Sequence, residues 1–113
     1  MDTAALLAFA QEKLDDLKAQ NMVVLDVHSQ TTMTDYMIIA EGTSTQHVRA
    51  LANNVRQSCK DAGIDVFGCE GQEDGDWVLV DLGDVITHVM LPETRQYYEL
   101  EKLWSVDDGS ECA

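Results

Sequence analysis

TDYMIIAEGTSTQHVRALANNV, residues 34–55, decides the architecture. Its apolar run at 36–40 (YMIIA) has the length and composition of a buried strand. A small-residue turn follows at Gly42, Thr43 and Ser44. Val48, Leu51, Ala52, Val55 and Cys59 then recur at helical spacing, which predicts a helix over 45–62 capped by Thr43 or Ser44. A buried strand running straight into an amphipathic helix is the unit from which α/β sheets are built. The same junction poses a chemical question. Helix N-termini after small-residue turns bind anions, because free N–H groups and the helix dipole point outward.

Outward from this stretch the pattern is regular. Leu6, Ala10, Leu14 and Leu17 predict an amphipathic helix over 3–20, and MVVLDV at 22–27 predicts a strand. The polar residues 28–35 are expected to form a loop. Gly63 occupies the position that a left-handed C-cap favours. A third strand is expected within 64–69, followed by a Gly- and acid-rich turn at 70–75. Residues 76–82 (DWVLVDL) and 85–91 (VITHVML), joined at Gly83-Asp84, predict a hairpin. Pro92 suits the first turn of a last helix ending near Trp104, and residues 105–113 form an acidic tail expected to be disordered. The strand–helix–strand stretch 36–69 suggests a parallel pairing and the hairpin an antiparallel one. The expected fold class is α/β, a mixed, mostly five-stranded sheet with flanking helices.

The candidate chemistry is thin. Nucleotidyl transfer needs two carboxylates alternating on a strand beside the phosphate turn, so that both reach one Mg²⁺. Asp74 and Asp76 have the spacing but flank Gly75 in a turn, and a bend separates Asp81 from Asp84. Walker spacing and its lysine are missing too. His28, His47 and His88 are scattered over separate elements without metal-ligand spacing. The acidic GQEDGDW segment lacks the EF-hand ligand ladder. Helix capping is the reading of Thr43 and Ser44.

Charge is the unusual feature. The 113 residues carry 21 Asp+Glu against 7 Lys+Arg, a formal charge of -14. Such a surface repels phosphate backbones and disfavours direct DNA or RNA binding, leaving basic proteins as natural partners. Three cysteines, none in a CxxC pair, and no long apolar run or leader-like N-terminus suggest a cytoplasmic chain with reduced thiols and no membrane segment.

Strand alternation sorts the hairpin into two faces. Val78, Val80, Val85, Thr87 and Val89 fall on one, suited to packing under helices. Trp77, Leu79, Asp81, Ile86, His88 and Met90 fall on the other. Tryptophan and methionine ringed by polar groups are the composition of a binding surface. The pattern equally allows this face to be covered by the terminal helices.

Taken together, the segment 34–55, Glu70-Gly71, DWVLVDLGDVITHVM at 76–90 and PETRQYYELEKLW at 92–104 resemble the ribosomal silencing factor family, also called RsfS or Iojap-like. The resemblance runs in order from about residue 22 to Trp104, giving a single domain at 1–104. It implies a nucleotidyltransferase-like fold without the metal-binding carboxylates, no enzymatic activity and no cofactor. It further implies binding to large-subunit ribosomal protein fourteen on the face that meets the small subunit. Blocked subunit joining would then repress translation when nutrients are short. Organellar relatives act in large-subunit assembly, and family members form homodimers. Combined with strand alternation, the expected contact surface is Trp77, Leu79, His88 and Met90 as an apolar patch. Asp81, Asp84 and Glu70 would face basic partner side chains, with Tyr98 as a further contact. Asp35 and Tyr36 suit a turn-and-core role.

Overall fold

The computed structural model describes residues 2–29 and 34–98. The expected end of the last helix at Trp104 and the tail at 105–113 lie outside the described residues. In chain order the elements are α1 (Thr3–Asp16), β1 (Gln20–Asp26), β2 (Tyr36–Glu41), α2 (Thr45–Asp61), β3 (Gly68–Glu70), β4 (Trp77–Asp81), β5 (Val85–Met90) and α3 (Pro92–Tyr98). They form one five-stranded sheet in the order β1-β2-β5-β4-β3.

The mixed sheet is as expected, but its parallel pair is not. β2 pairs in parallel with β5 and not with β3, while β4 pairs antiparallel with both β5 and β3. The stretch 36–69 therefore does not make adjacent strands. The Val-rich β5 takes the central place beside β2, where both faces are covered, and the three-residue β3 is left at the edge.

Both long helices pack on one face of the sheet and against each other. Their cluster joins Leu6, Ala10 and Leu14 of α1, Val48, Leu51, Ala52, Val55 and Cys59 of α2, and Ile38, Ala40, Val78, Val80, Val85 and Val89 of the sheet. Each fully buried aliphatic side chain there contributes about 1.5–3 kcal/mol. A smaller cluster, Val27, Met37, Ile39 and Met90 with Leu25 and Trp77 against it, lies on the opposite face. Two faces with two clusters follow from the period-two alternation of β2, β4 and β5.

The helix ends differ from the sequence expectation in one place. α2 closes as expected, with Gly63 at φ 77 and the Ile64 N–H reaching the Cys59 carbonyl. α1 stops at Asp16, four residues short of the expected end at Gln20, through the same pattern. The Lys18 N–H bonds Asp15 O and the Ala19 N–H bonds Leu14 O, with Lys18 at φ 64. A lysine in the left-handed position carries no sequence signal for a stop.

Candidate functional site on the open sheet face

The Gly-Thr-Ser junction is tied together by local hydrogen bonds. Ser44 caps α2, its Oγ accepting the His47 N–H at 3.1 Å while its carbonyl accepts the Val48 N–H at 2.9 Å. The Thr43 N–H donates to His47 Nδ1 at 2.8 Å, and the other ring nitrogen of His47 lies 2.7 Å from the Leu17 carbonyl. The Thr43 and His47 N–H groups are thus bonded within the chain, and His47 ties this helix start to the end of α1. Gly42 is needed here for packing, since a Cβ would lie 2.8 Å from Val48 Cγ2.

The face away from α1 and α2 is organised in cross-strand rows. Trp77, Met90, Glu41 and Gln20 form one, and Glu70, Leu79, His88, Ile39 and Val23 the next. Gly68, Asp81, Ile86, Met37 and Leu25 form the third. The expected residues Trp77, Leu79, His88, Met90, Asp81 and Glu70 therefore do share one face.

Their exposure divides them. Trp77, Leu79 and Asp81 are half-buried and Glu70 is exposed. Met90 is fully buried and His88 only 5% exposed, so neither offers contact area, contrary to the expected patch. The reason is position: both lie on the central strand β5, between β2 and β4, where Met90 packs with Val27, Met37 and Ile39 and Trp77 lies against His88. They form the floor of the face. Asp84 is set apart at the far end of the hairpin, exposed, with its Oδ2 accepting from Thr3 Oγ1 of α1 at 3.1 Å.

The buried floor fixes the tryptophan. Trp77 Nε1–H donates to His88 Nδ1 at 3.0 Å. Burial holds the His88 pKa down at about 4, so the ring is neutral and its proton sits on Nε2. That nitrogen has no hydrogen-bond partner among the described residues.

α3 closes one end of the face. Its Arg95 Nη1 donates to Glu41 Oε2 at 3.1 Å and reaches the Asn21 carbonyl, and the Asn21 side chain donates to Glu41 Oε1 at 2.9 Å. Tyr98 lies over Trp77 with ring centroids 4.9 Å apart, and Tyr97 meets Tyr98 edge-on at 4.9 Å. The two tyrosines are 51% and 80% exposed respectively, so the aromatic surface extends from the strand onto the helix. Tyr97 and the Glu41–Arg95 pair escaped sequence reasoning. The paired tyrosines of PETRQYY were a visible signal for the first; a buried ion pair between residues 54 positions apart was not.

Acids rim this surface. Glu70, Glu73, Asp74 and Asp76 are exposed on the approach to Trp77, and Glu93 is exposed on α3. The backbone of that approach is held by Arg49 of α2, whose Nε donates to the Gln72 carbonyl at 2.8 Å and Nη2 to the Glu73 carbonyl at 2.6 Å. A half-buried tryptophan on a rigid floor, an aromatic extension and an acidic rim suit a basic protein surface. A separate cavity of about 530 Å³ lies at the start of α1, lined by Asp2, Thr3, Ala4, His28, Asp35 and Tyr36. There the exposed Asp26 carboxylate hydrogen-bonds His28, holding the carboxyl below and the imidazole above their usual ranges.

Comparison with known proteins agrees in sequence and in structure. Residues 1–112 match the family described as ribosomal silencing factor during starvation, RsfS. Ribosomal silencing factor RsfS of Chromobacterium violaceum is 46% identical over 92% of this chain and 85% of its own length. Mouse mitochondrial assembly of ribosomal large subunit protein 1 is 38% identical over 78% of this chain, which spans 40% of that protein. A crystal structure of a Chromobacterium violaceum protein superposes with a TM-score of 0.91 at 43% identity, covering 100% of this chain and 92% of that one. The chain belongs to the RsfS family of ribosomal silencing factors.

Proposed function

We propose that the protein docks on large-subunit ribosomal protein fourteen through the open sheet face and sterically prevents the small subunit from joining. Translation is thereby repressed under nutrient limitation, in the cytoplasm and into stationary phase. The observation that carries this reading is the Trp77–Tyr98 aromatic pair, held on a buried floor inside an acidic rim. A ribosome is a polyanion, so a chain of charge -14 must dock where basic protein rather than RNA faces it. No chemistry, metal or cofactor enters this mechanism; occupancy alone does the work. Homodimerisation is a further part of the proposal.

Sedimentation tests it. Purified protein is run with isolated large subunits, then with small subunits added. Co-sedimentation with the large subunit and loss of joined ribosomes is the expected result. Binding with joining intact supports the second reading, large-subunit assembly, which the name of the mouse relative favours. Absence of binding overturns both.

A further inference from the structure

Nothing among the described residues requires glycine at Gly68. Gly63, Gly71, Gly75 and Gly83 adopt positive φ, and Gly42 abuts Val48. Gly68 has neither constraint: its backbone is ordinary for a strand, and no heavy atom of the described residues beyond its chain neighbours lies within 4 Å of where a Cβ would stand. Glycine inside a strand costs roughly 0.5–1 kcal/mol relative to alanine, and it marks places where another backbone or ligand approaches closely.

The register says which face is left bare. Cys69 opposes Val80 and packs with the helix-side cluster. Its neighbours Gly68 and Glu70 therefore present to the open face, opposite Asp81 and Leu79 respectively. The result is a strip of bare backbone between two carboxylates, with Leu79 diagonally beside it. Asp81 is held in place, its Oδ1 accepting the Gly83 N–H at 2.9 Å. Asp81 is half-buried and Glu70 exposed, so both carboxylates are accessible from this face.

We infer that Gly68 is a notch on the docking face that admits one lysine or arginine side chain of the basic ribosomal partner. Its aliphatic stem lies across Gly68 against Leu79, and its cationic head meets Asp81 and Glu70. Long basic side chains bury their stems on apolar surface while keeping the head on a polar group, and this strip offers both in one place. Charge selects the occupant: an acidic or neutral side chain would leave two carboxylates facing nothing of opposite sign. The inference rests on the docking reading proposed above.

Gly68→Val tests it, because valine suits an edge strand and its Cβ would meet no heavy atom of the described residues within 4 Å. Its thermal midpoint should equal or exceed that of the parent, while affinity for purified large subunits should fall about tenfold or more. Trp77→Ala is measured alongside. If Trp77→Ala loses affinity and Gly68→Val keeps it, the notch is wrong and the docking face stands. A Gly68→Val protein with a lowered midpoint shows that the fold itself needs the glycine, which also overturns the notch. If Trp77→Ala binds like the parent, the docking face fails and the notch with it.

Discussion

Trp77 and His88 lie diagonally across the β4–β5 pair, and the indole N–H donates to a ring nitrogen of His88 that must stay unprotonated to accept it. Protonating His88 would remove that acceptor and place a charge in the apolar floor. The folded-state pKa of about 4 lies below the ordinary value of 6.5. The unfolded chain therefore binds more protons between these limits. Stability contributed by the neutral ring is full above pH 6.5 and is lost as pH falls toward 4, amounting to about 3 kcal/mol in all. His88→Gln retains an acceptor for Trp77 and abolishes this dependence. Urea unfolding of both proteins at pH 7 and pH 4.5 should show the parent losing more stability than the variant. Equal losses would mean that His88 already titrates normally in the folded protein.

Glu41 and Arg95 set the place of α3. Its described residues, Pro92–Tyr98, are held against the sheet by the buried ion pair and by Tyr98 against Trp77. Neutralising Glu41 removes the carboxylate that Arg95 bonds at 3.1 Å, and breaking a buried ion pair of this kind costs up to about 3–5 kcal/mol. Glu41→Gln should lower the urea midpoint accordingly. In a Trp104→Phe background Trp77 is the sole tryptophan, and its emission should shift to the red as Tyr98 leaves. An unshifted spectrum with lowered stability would show that α3 stays docked without the pair.

Lys18 shows where the sequence misled. A side chain at φ 64 costs about 1–2 kcal/mol, of which the extra backbone entropy of glycine offsets part. Lys18→Gly is therefore expected to stabilise the protein by about 0.5–1 kcal/mol, read as a higher urea midpoint at unchanged slope. A drop would mean that the lysine side chain contributes contacts that outweigh the strain.

The same contrast separates what was legible from what was not. The amphipathic stripe of α2, its Ser44 cap and its Gly63 stop are local signals, and the helix is where they place it. Alternation in β4 and β5 is local too, and it sorted the helix-side valines from the open face correctly. Strand order is set by tertiary packing: β5 displaces β3 beside β2 because it can be buried on both faces, a competition that no short window contains. Burial within a face is likewise non-local. Met90 and Trp77 are cross-strand partners on the same face, yet the central strand buries the methionine and leaves the tryptophan half-exposed.

The acids predict a kinetic signature that distinguishes the two ends of the hairpin. Glu70 lies beside Leu79 on the docking face, whereas Asp84 sits at the opposite end, bonded to Thr3 on the helix side. Steering by rim charges acts on association and is screened within about 8–10 Å at physiological salt. Glu70→Lys should therefore slow association with large subunits and flatten its dependence on salt. Asp84→Lys, with the same change in net charge, should do so much less. Stopped-flow mixing at two ionic strengths decides the matter. Equal slowing in both variants would assign the steering to net charge alone. A larger effect at Asp84 would move the docking surface to the α1 end of the sheet.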